Sequence, residues 1–210
     1  MPGCEYFIAN TFAHLLGGLF ITGISSENSV VDDIQHKPIT HLATIVIVLV
    51  LLFATMNASV GPIKYGLFGL LCIVVGQTLA AAAQRLKSKG LLSNTLLTVA
   101  GIFSAMTVIG LIDNQNMLSL GIYLSAGLIA LLISMVGVAL FATDKEDQHT
   151  MSTWFSRAVV LLFTLYVGFD IQTLKANAAA CDDTPDYVNE SISLYLDIIN
   201  IFSGVSALED

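Results

Sequence analysis

Two carboxylates set inside apolar runs are the residues best suited to chemistry. Asp170 lies in Leu165-Tyr166-Val167-Gly168-Phe169-Asp170-Ile171-Gln172, and Asp197 in Ser193-Leu194-Tyr195-Leu196-Asp197-Ile198-Ile199-Asn200. An ionisable side chain within an apolar span faces a protein interior or a wet cavity and marks an ion or proton path. Two such acids side by side cannot both ionise easily, because burial and like charge each oppose the second negative charge. They should share a proton and titrate as one coupled unit. With the proton they form a hydrogen-bonded latch between helices; without it they repel one another and attract a cation. That describes a pH-sensitive gate with a cation site. The alternative is that each Asp caps or bonds a neighbouring backbone independently.

Around Asp197 the sequence sets a small and polar stripe. Ser193, Asp197, Asn200 and Gly204 follow i, i+4, i+7, i+11, one face of a helix. Ile192, Leu196, Ile199 and Phe202 lie away from it. Lipid offers such a stripe no partners, so it should face protein or water. Two carboxylates supply at most about four oxygens, whereas Ca²⁺ takes roughly six to eight. Asn200, Ser193 and water are candidates for others, and Tyr166 and Gly204 join them as supporting lining. The expected metal site is a weak Ca²⁺ site at Asp170 and Asp197, suited to an ion that must also leave. No catalytic residue and no cofactor is expected; Ca²⁺ is the permeant ion.

These acids need membrane helices to position them. The chain has 210 residues, 55% apolar and 11% charged, against roughly 25% charged in an average soluble protein. Mean hydropathy is +0.80. Such a chain cannot make the polar shell of a soluble enzyme. With 8 basic against 16 acidic residues, it has no patch for a nucleic-acid backbone. A bilayer core takes about 20 apolar residues per helix, and the sequence offers runs at about 6–24, 42–60, 62–84, 91–112, 117–142, 154–175 and 190–208. The fold class is therefore an all-α integral membrane bundle of seven transmembrane helices, one polytopic domain over 1–210. From the ends of spans six and seven, Asp170 and Asp197 sit roughly 8–11 Å in from the same face. The first span lacks a basic n-region and a convincing cleavage site, so it should be retained.

Charge gathers in the connectors. Loop one holds Glu27, Asp32, Asp33 and Lys37, loop three Arg85, Lys87 and Lys89, and loop five Asp144-Lys145-Glu146-Asp147. Loop six holds Asp182, Asp183 and Asp186, while loops two (Asn57 to Pro62) and four (Asp113 to Asn116) are polar turns. Counting basic residues puts loops one, three and five, with Arg157, in the cytosol; the opposite side has Lys64 and Lys175. Lys64 and Arg157 lie near span ends and should snorkel. His14 and Gln77 should hydrogen-bond between helices. Gly17-Gly18, Gly66 with Gly69, Gly76 with Ala80, and Gly121 with Ser125 suit close helix packing. The sequons at Asn57 and Asn189 lie too near a membrane edge for glycosylation. The cysteines Cys4, Cys72 and Cys181 are odd in number without a CxxC spacing, and Cys72 should be a buried thiol. No HExxH-type metal motif occurs.

The segment Ser191-Ile192-Ser193-Leu194-Tyr195-Leu196-Asp197-Ile198-Ile199-Asn200-Ile201-Phe202 resembles the last-helix signature of the transmembrane Bax inhibitor motif family. Tyr166 to Leu174, with Phe169-Asp170-Ile171-Gln172, resembles its penultimate-helix signature. The specific match covers about the last 50 residues; spans one to five match in hydropathy only. The resemblance implies a seven-helix fold with the last helix in the middle. It implies a pH-sensitive Ca²⁺ leak across an intracellular membrane (or the plasma membrane if bacterial) and, in eukaryotes, protection from cell death. The implied partners are the bilayer, Ca²⁺, protons and membrane proteins of cell-death pathways. The family's paired aspartates map onto Asp170 and Asp197. Its basic residue near the end of the second helix has no counterpart in His41 to Val60, leaving Lys64, Arg157 or a purely acidic latch. The family topology places loops two, four and six in the cytosol, opposite to the charge count, and is the orientation expected here.

Two other classes compete. A non-conducting regulator would act through helix–helix binding. An intramembrane aspartyl protease would also use two aspartates on adjacent helices, but residues 167–170 read Val-Gly-Phe-Asp and lack its GxGD pattern.

Overall fold

The computed structural model describes residues 4–27, 38–112, 117–141, 145–181 and 184–209, and no strand occurs among them. Among the described residues seven α-helices follow one another: α1 (Phe7–Glu27), α2 (Pro38–Asn57), α3 (Pro62–Ser88), α4 (Leu92–Ile112), α5 (Gly121–Phe141), α6 (Lys145–Ala179) and α7 (Tyr187–Leu208). Short 3-10 turns, Cys4–Tyr6 and Met117–Leu120, lead into α1 and α5. Asp32, Asp33, Lys37, Asp113 to Asn116, Asp144, Asp182 and Asp183 lie outside the described residues, as do the side chains of Lys145, Glu146 and Asp147.

Six of these helices are long and apolar enough to cross a membrane. The expected second span, 42–60, ends early: α2 stops at Asn57. The helix stops there because the turn through Gly61 must deliver Pro62 to the first position of α3, where its missing N–H is harmless. Conversely, α6 has 35 residues and is roughly 50 Å long at about 1.5 Å per residue. Residues 145–153 contain no Gly or Pro, so the helix runs on into its polar prefix. Gly90, at φ 72°, takes the left-handed conformation that turns the chain after α3.

Packing divides the chain into two units, Met1–Ser88 with Ala178–Tyr195, and Lys89–Asn177 with Leu196–Asp210. In the first unit, α1 lies against α3. A Cβ on Gly76 would stand 2.5 Å from Thr22 O, and one on Gly18 would stand 2.8 Å from Phe68 Cζ. Only hydrogen fits at either place. Gly17, Gly66 and Gly69, also expected at helix contacts, have open space where a Cβ would go. Gln77 donates to Ser25 O at 2.6 Å and Oγ at 2.9 Å, and Ser25 Oγ donates to Ile73 O at 2.8 Å. With little hydrophobic drive between helices in lipid, such close approach and hydrogen bonding hold the pair.

In the second unit, α4, α5 and α7 approach α6. A Cβ on Gly110 would meet Ile171 Cγ2 at 2.8 Å, and one on Gly121 would meet Phe169 Cε2 at 2.9 Å. The Met117 backbone N–H donates to Gln172 Oε1 at 2.8 Å, fixing the start of the α5 segment on α6. Phe20, Phe53 and Ile63 in the first unit, and Ile112, Ile122 and Ile133 in the second, are exposed. A surface this apolar belongs in lipid.

Candidate functional site: a carboxyl pair on α6 and α7

Asp170 and Asp197 both fall in the second unit. Asp170 is nine residues before the end of α6, and Asp197 ten residues after the start of α7. At about 1.5 Å per residue these are depths of roughly 14 and 15 Å from the helix ends. They are deeper than the sequence spans implied, because both helices extend further toward the connector, but they are equal within one residue's rise. The Asp197 carboxyl hydrogen-bonds with that of Asp170. Asp197 is 3% exposed, while Asp170 is half-buried. Asp197 Oδ2 is enclosed with no hydrogen-bond partner. A hydrogen bond between two carboxyls needs a proton on one of them, since a carboxylate only accepts.

The supporting residues fall differently. Tyr166 stands one turn before Asp170 and hydrogen-bonds with Ser125 of α5. Its ring packs between Phe163 and Phe169, at centroid separations of 5.7 and 6.4 Å. Asn200 donates its amide to Leu196 O at 2.7 Å, and Ser193 donates to Glu190 O at 3.3 Å. These bonds hold the two side chains along their own helix. Gly204 serves packing: a Cβ there would stand 2.7 Å from Val160 Cγ2 and 3.2 Å from Ser156 O on α6. Ile192 and Phe202, assigned to the side away from the stripe, are also buried, at 2% and 7% exposure. Over its most apolar window α7 is 56% buried, against 6–33% for the other five long apolar helices.

The basic residues weighed as partners for the pair are engaged elsewhere. Lys64, expected to snorkel, is 1% exposed. Its ammonium donates to Asp186 and to Ala58 O, the latter at 2.9 Å. The reason is charge: an acid in the loop-six segment gives the ammonium a partner inside the protein, so it need not reach for water. Arg157 is exposed and lies 5.0 Å from the centroid of the Trp154 ring. Lys175 donates to Leu111 O at 2.8 Å, the carbonyl end of α4. His14, expected to bond between helices, donates Nδ1–H to Asn10 O of its own helix at 2.7 Å. Its ring instead stacks with Tyr65 and Tyr187, at 5.5 and 5.9 Å.

Three features are not evident from the sequence. Cys4 and Cys181 form a disulfide with Cα atoms 5.8 Å apart. Their separation of 177 residues hides the pairing; the available signal was that both lie at the ends of spans facing one side. Cys72 alone remains a buried thiol, as expected. Asp186 caps α7, accepting the Asn189 backbone N–H at 3.1 Å. Tyr195, two residues before Asp197, is fully buried, its hydroxyl 2.7 Å from Thr22 Oγ1 and its ring T-shaped on Phe68 at 6.0 Å. Thr22 Oγ1 also bonds Gly18 O at 2.9 Å and Cys72 O at 3.2 Å.

A helical, multi-pass membrane protein with a carboxyl pair on its last two helices is the class these observations define. The chain belongs to the Bax inhibitor family: the family described as inhibitor of apoptosis-promoting Bax1 matches residues 4–208. It is also similar to an uncharacterised protein of Borreliella burgdorferi (strain ATCC 35210 / DSM 4680 / CIP 102532 / B31). The two are 25% identical over 209 residues, covering 93% of this chain and 88% of that one. The Bax inhibitor family is not known as an enzyme family.

Proposed function

We propose that this protein is a pH-sensitive Ca²⁺ leak gated by a proton shared between Asp170 and Asp197. The reading rests on one observation: the two carboxyls hydrogen-bond while Asp197 Oδ2 stays enclosed without a partner. The shared proton ties α6 to α7. Its loss leaves two anions together in a medium that stabilises charge poorly, so they separate or draw in a cation. Among the described residues no group of three or more His, Cys, Asp or Glu side chains converges on a metal-sized space. A two-carboxylate site binds Ca²⁺ weakly and releases it, as a permeation path requires. Seven membrane passes, with α2 as the shortest and α7 at the middle, complete the proposed architecture; the deep burial of α7 supports its place there.

The test is Ca²⁺ entry into liposomes holding the purified chain, measured across pH. Flux should rise as pH rises through the titration of the pair. Asp170→Asn and Asp197→Asn should each abolish that rise. Identical pH profiles in the parent and both variants would overturn the gate. No flux at any pH in the parent would overturn conduction and leave a non-conducting membrane regulator.

A further inference from the structure

The Cys4–Cys181 disulfide and the placement of the basic residues bear on one question, which side of the first unit faces the cytosol. Disulfides form and persist in oxidising compartments, and thiols stay reduced in the cytosol. Cys4 precedes α1 and Cys181 follows α6, so the bridge closes one end of the unit. Ala58 and Asp186 are at that end too, joined through Lys64. At the other end, Lys87 of α3 reaches Glu27 of α1 at 3.6 Å. Arg85, Lys87 and, by sequence, Lys89 are exposed there.

Burial sharpens the charge asymmetry. Of the two basic residues that sequence assigns to the disulfide side, Lys64 is buried on Asp186 in the first unit. Lys175, in the second unit, is half-buried and donates to a carbonyl at the end of α4. The three exposed ones at the other end are those that hold a loop in the cytosol.

We propose that the end carrying Cys4–Cys181 lies in an oxidising, non-cytosolic compartment, and that the Arg85/Lys87/Lys89 end is cytosolic. This inverts the orientation that the family resemblance implies. In that compartment the two thiols give up two protons and two electrons to the disulfide of a dithiol oxidant. One S–S bond forms here as the oxidant's S–S bond breaks into two thiols. The product fastens the segment before α1 to the segment that leads into α7.

Two measurements on the full chain test this. In the first, the protein is denatured with an alkylating agent present, then reduced and alkylated again. The expected count is one thiol (Cys72) before reduction and three after; three before reduction would overturn the proposal. In the second, a membrane-impermeant maleimide is applied to intact bacterial cells and to lysed ones. Cys4 in the Cys181→Ser variant, and Cys181 in Cys4→Ser, should react in intact cells. Lys87→Cys, in a chain also carrying Cys4→Ser and Cys181→Ser, should react only after lysis. Labelling of Lys87→Cys in intact cells, or failure of both native cysteines to react there, would overturn the orientation. The thiol count uses the unaltered chain, so a variant that fails to fold leaves that arm decisive.

Discussion

Lys64 and Asp186 are 122 residues apart and meet where α3 begins and α7 is capped. One carboxylate oxygen of Asp186 accepts from the Lys64 ammonium, and the other accepts the Asn189 backbone N–H. The same ammonium holds Ala58 O in the turn between α2 and α3. A single buried cation thereby fixes a loop, an ion pair and, through Asp186, a helix start.

Removing that cation should destabilise the protein. A buried pair broken on one side costs roughly 3–5 kcal/mol, but water can still reach Asp186, which lowers the figure. Asp186 is 29% exposed, so the expected loss for Lys64→Met is about 1–3 kcal/mol. Denaturant unfolding in detergent measures it. Lys64→Met as stable as the parent would mean the pair is dispensable.

Close approach of α1 and α3 should be selective among glycines. At Gly76 a Cβ meets backbone oxygen at 2.5 Å, and backbone cannot swing aside. Gly76→Ala should cost about 1–3 kcal/mol, the usual penalty of overpacking. Gly69→Ala adds a methyl to open space and should leave stability near the parent's. Thermal melts of the two variants side by side decide the matter: equal loss in both would remove close packing as the cause.

Tyr195→Phe isolates a hydrogen bond. The ring keeps its packing on Phe68, while Thr22 Oγ1 loses one of its partners and retains Gly18 O. The expected loss is about 0.5–1.5 kcal/mol, that of one ordinary hydrogen bond. Adding Thr22→Val should then cost less than it does in the parent chain. Additive losses in that double-mutant cycle would show that the two hydroxyls act independently.

The carboxyl pair was legible because it breaks the pattern of its surroundings. A charge within a long apolar run has no bland role in lipid, and counting residues from the connector put both acids at one depth. The equality of depth survived although both helices are longer than their apolar runs, because each grew by a similar amount. Other features were hidden for identifiable reasons. Hydropathy marks where a helix meets lipid, not where its hydrogen bonding ends, so the polar beginning of α6 was missed. In the sequence Lys64 looks like a snorkelling residue because its acid lies 122 positions away. Gly18 and Gly76 were found by residue type, but type alone does not separate them from Gly17 and Gly69, whose outward face depends on helix rotation. The disulfide needed the fold itself, which returns α6 to the level of Cys4.

The pair makes its sharpest prediction when charge and shape are varied separately. Asp197→Asn keeps the volume of the side chain and can still donate or accept a hydrogen bond with Asp170. It cannot lose a proton, so two adjacent anions never arise. Under the proposed gate, raising pH removes the shared proton in the parent and frees α6 from α7; in Asp197→Asn that step is missing, and Ca²⁺ flux should stay at its low-pH level as pH rises. Asp197→Glu retains the titration with a longer reach and should keep a rising profile, displaced along the pH axis. Liposome flux across the pH range separates these cases. A profile in Asp197→Asn that rises like the parent's would show that the Asp197 proton is not what the gate senses, and a flat profile in Asp197→Glu would show that geometry at Asp197, rather than charge, governs the path.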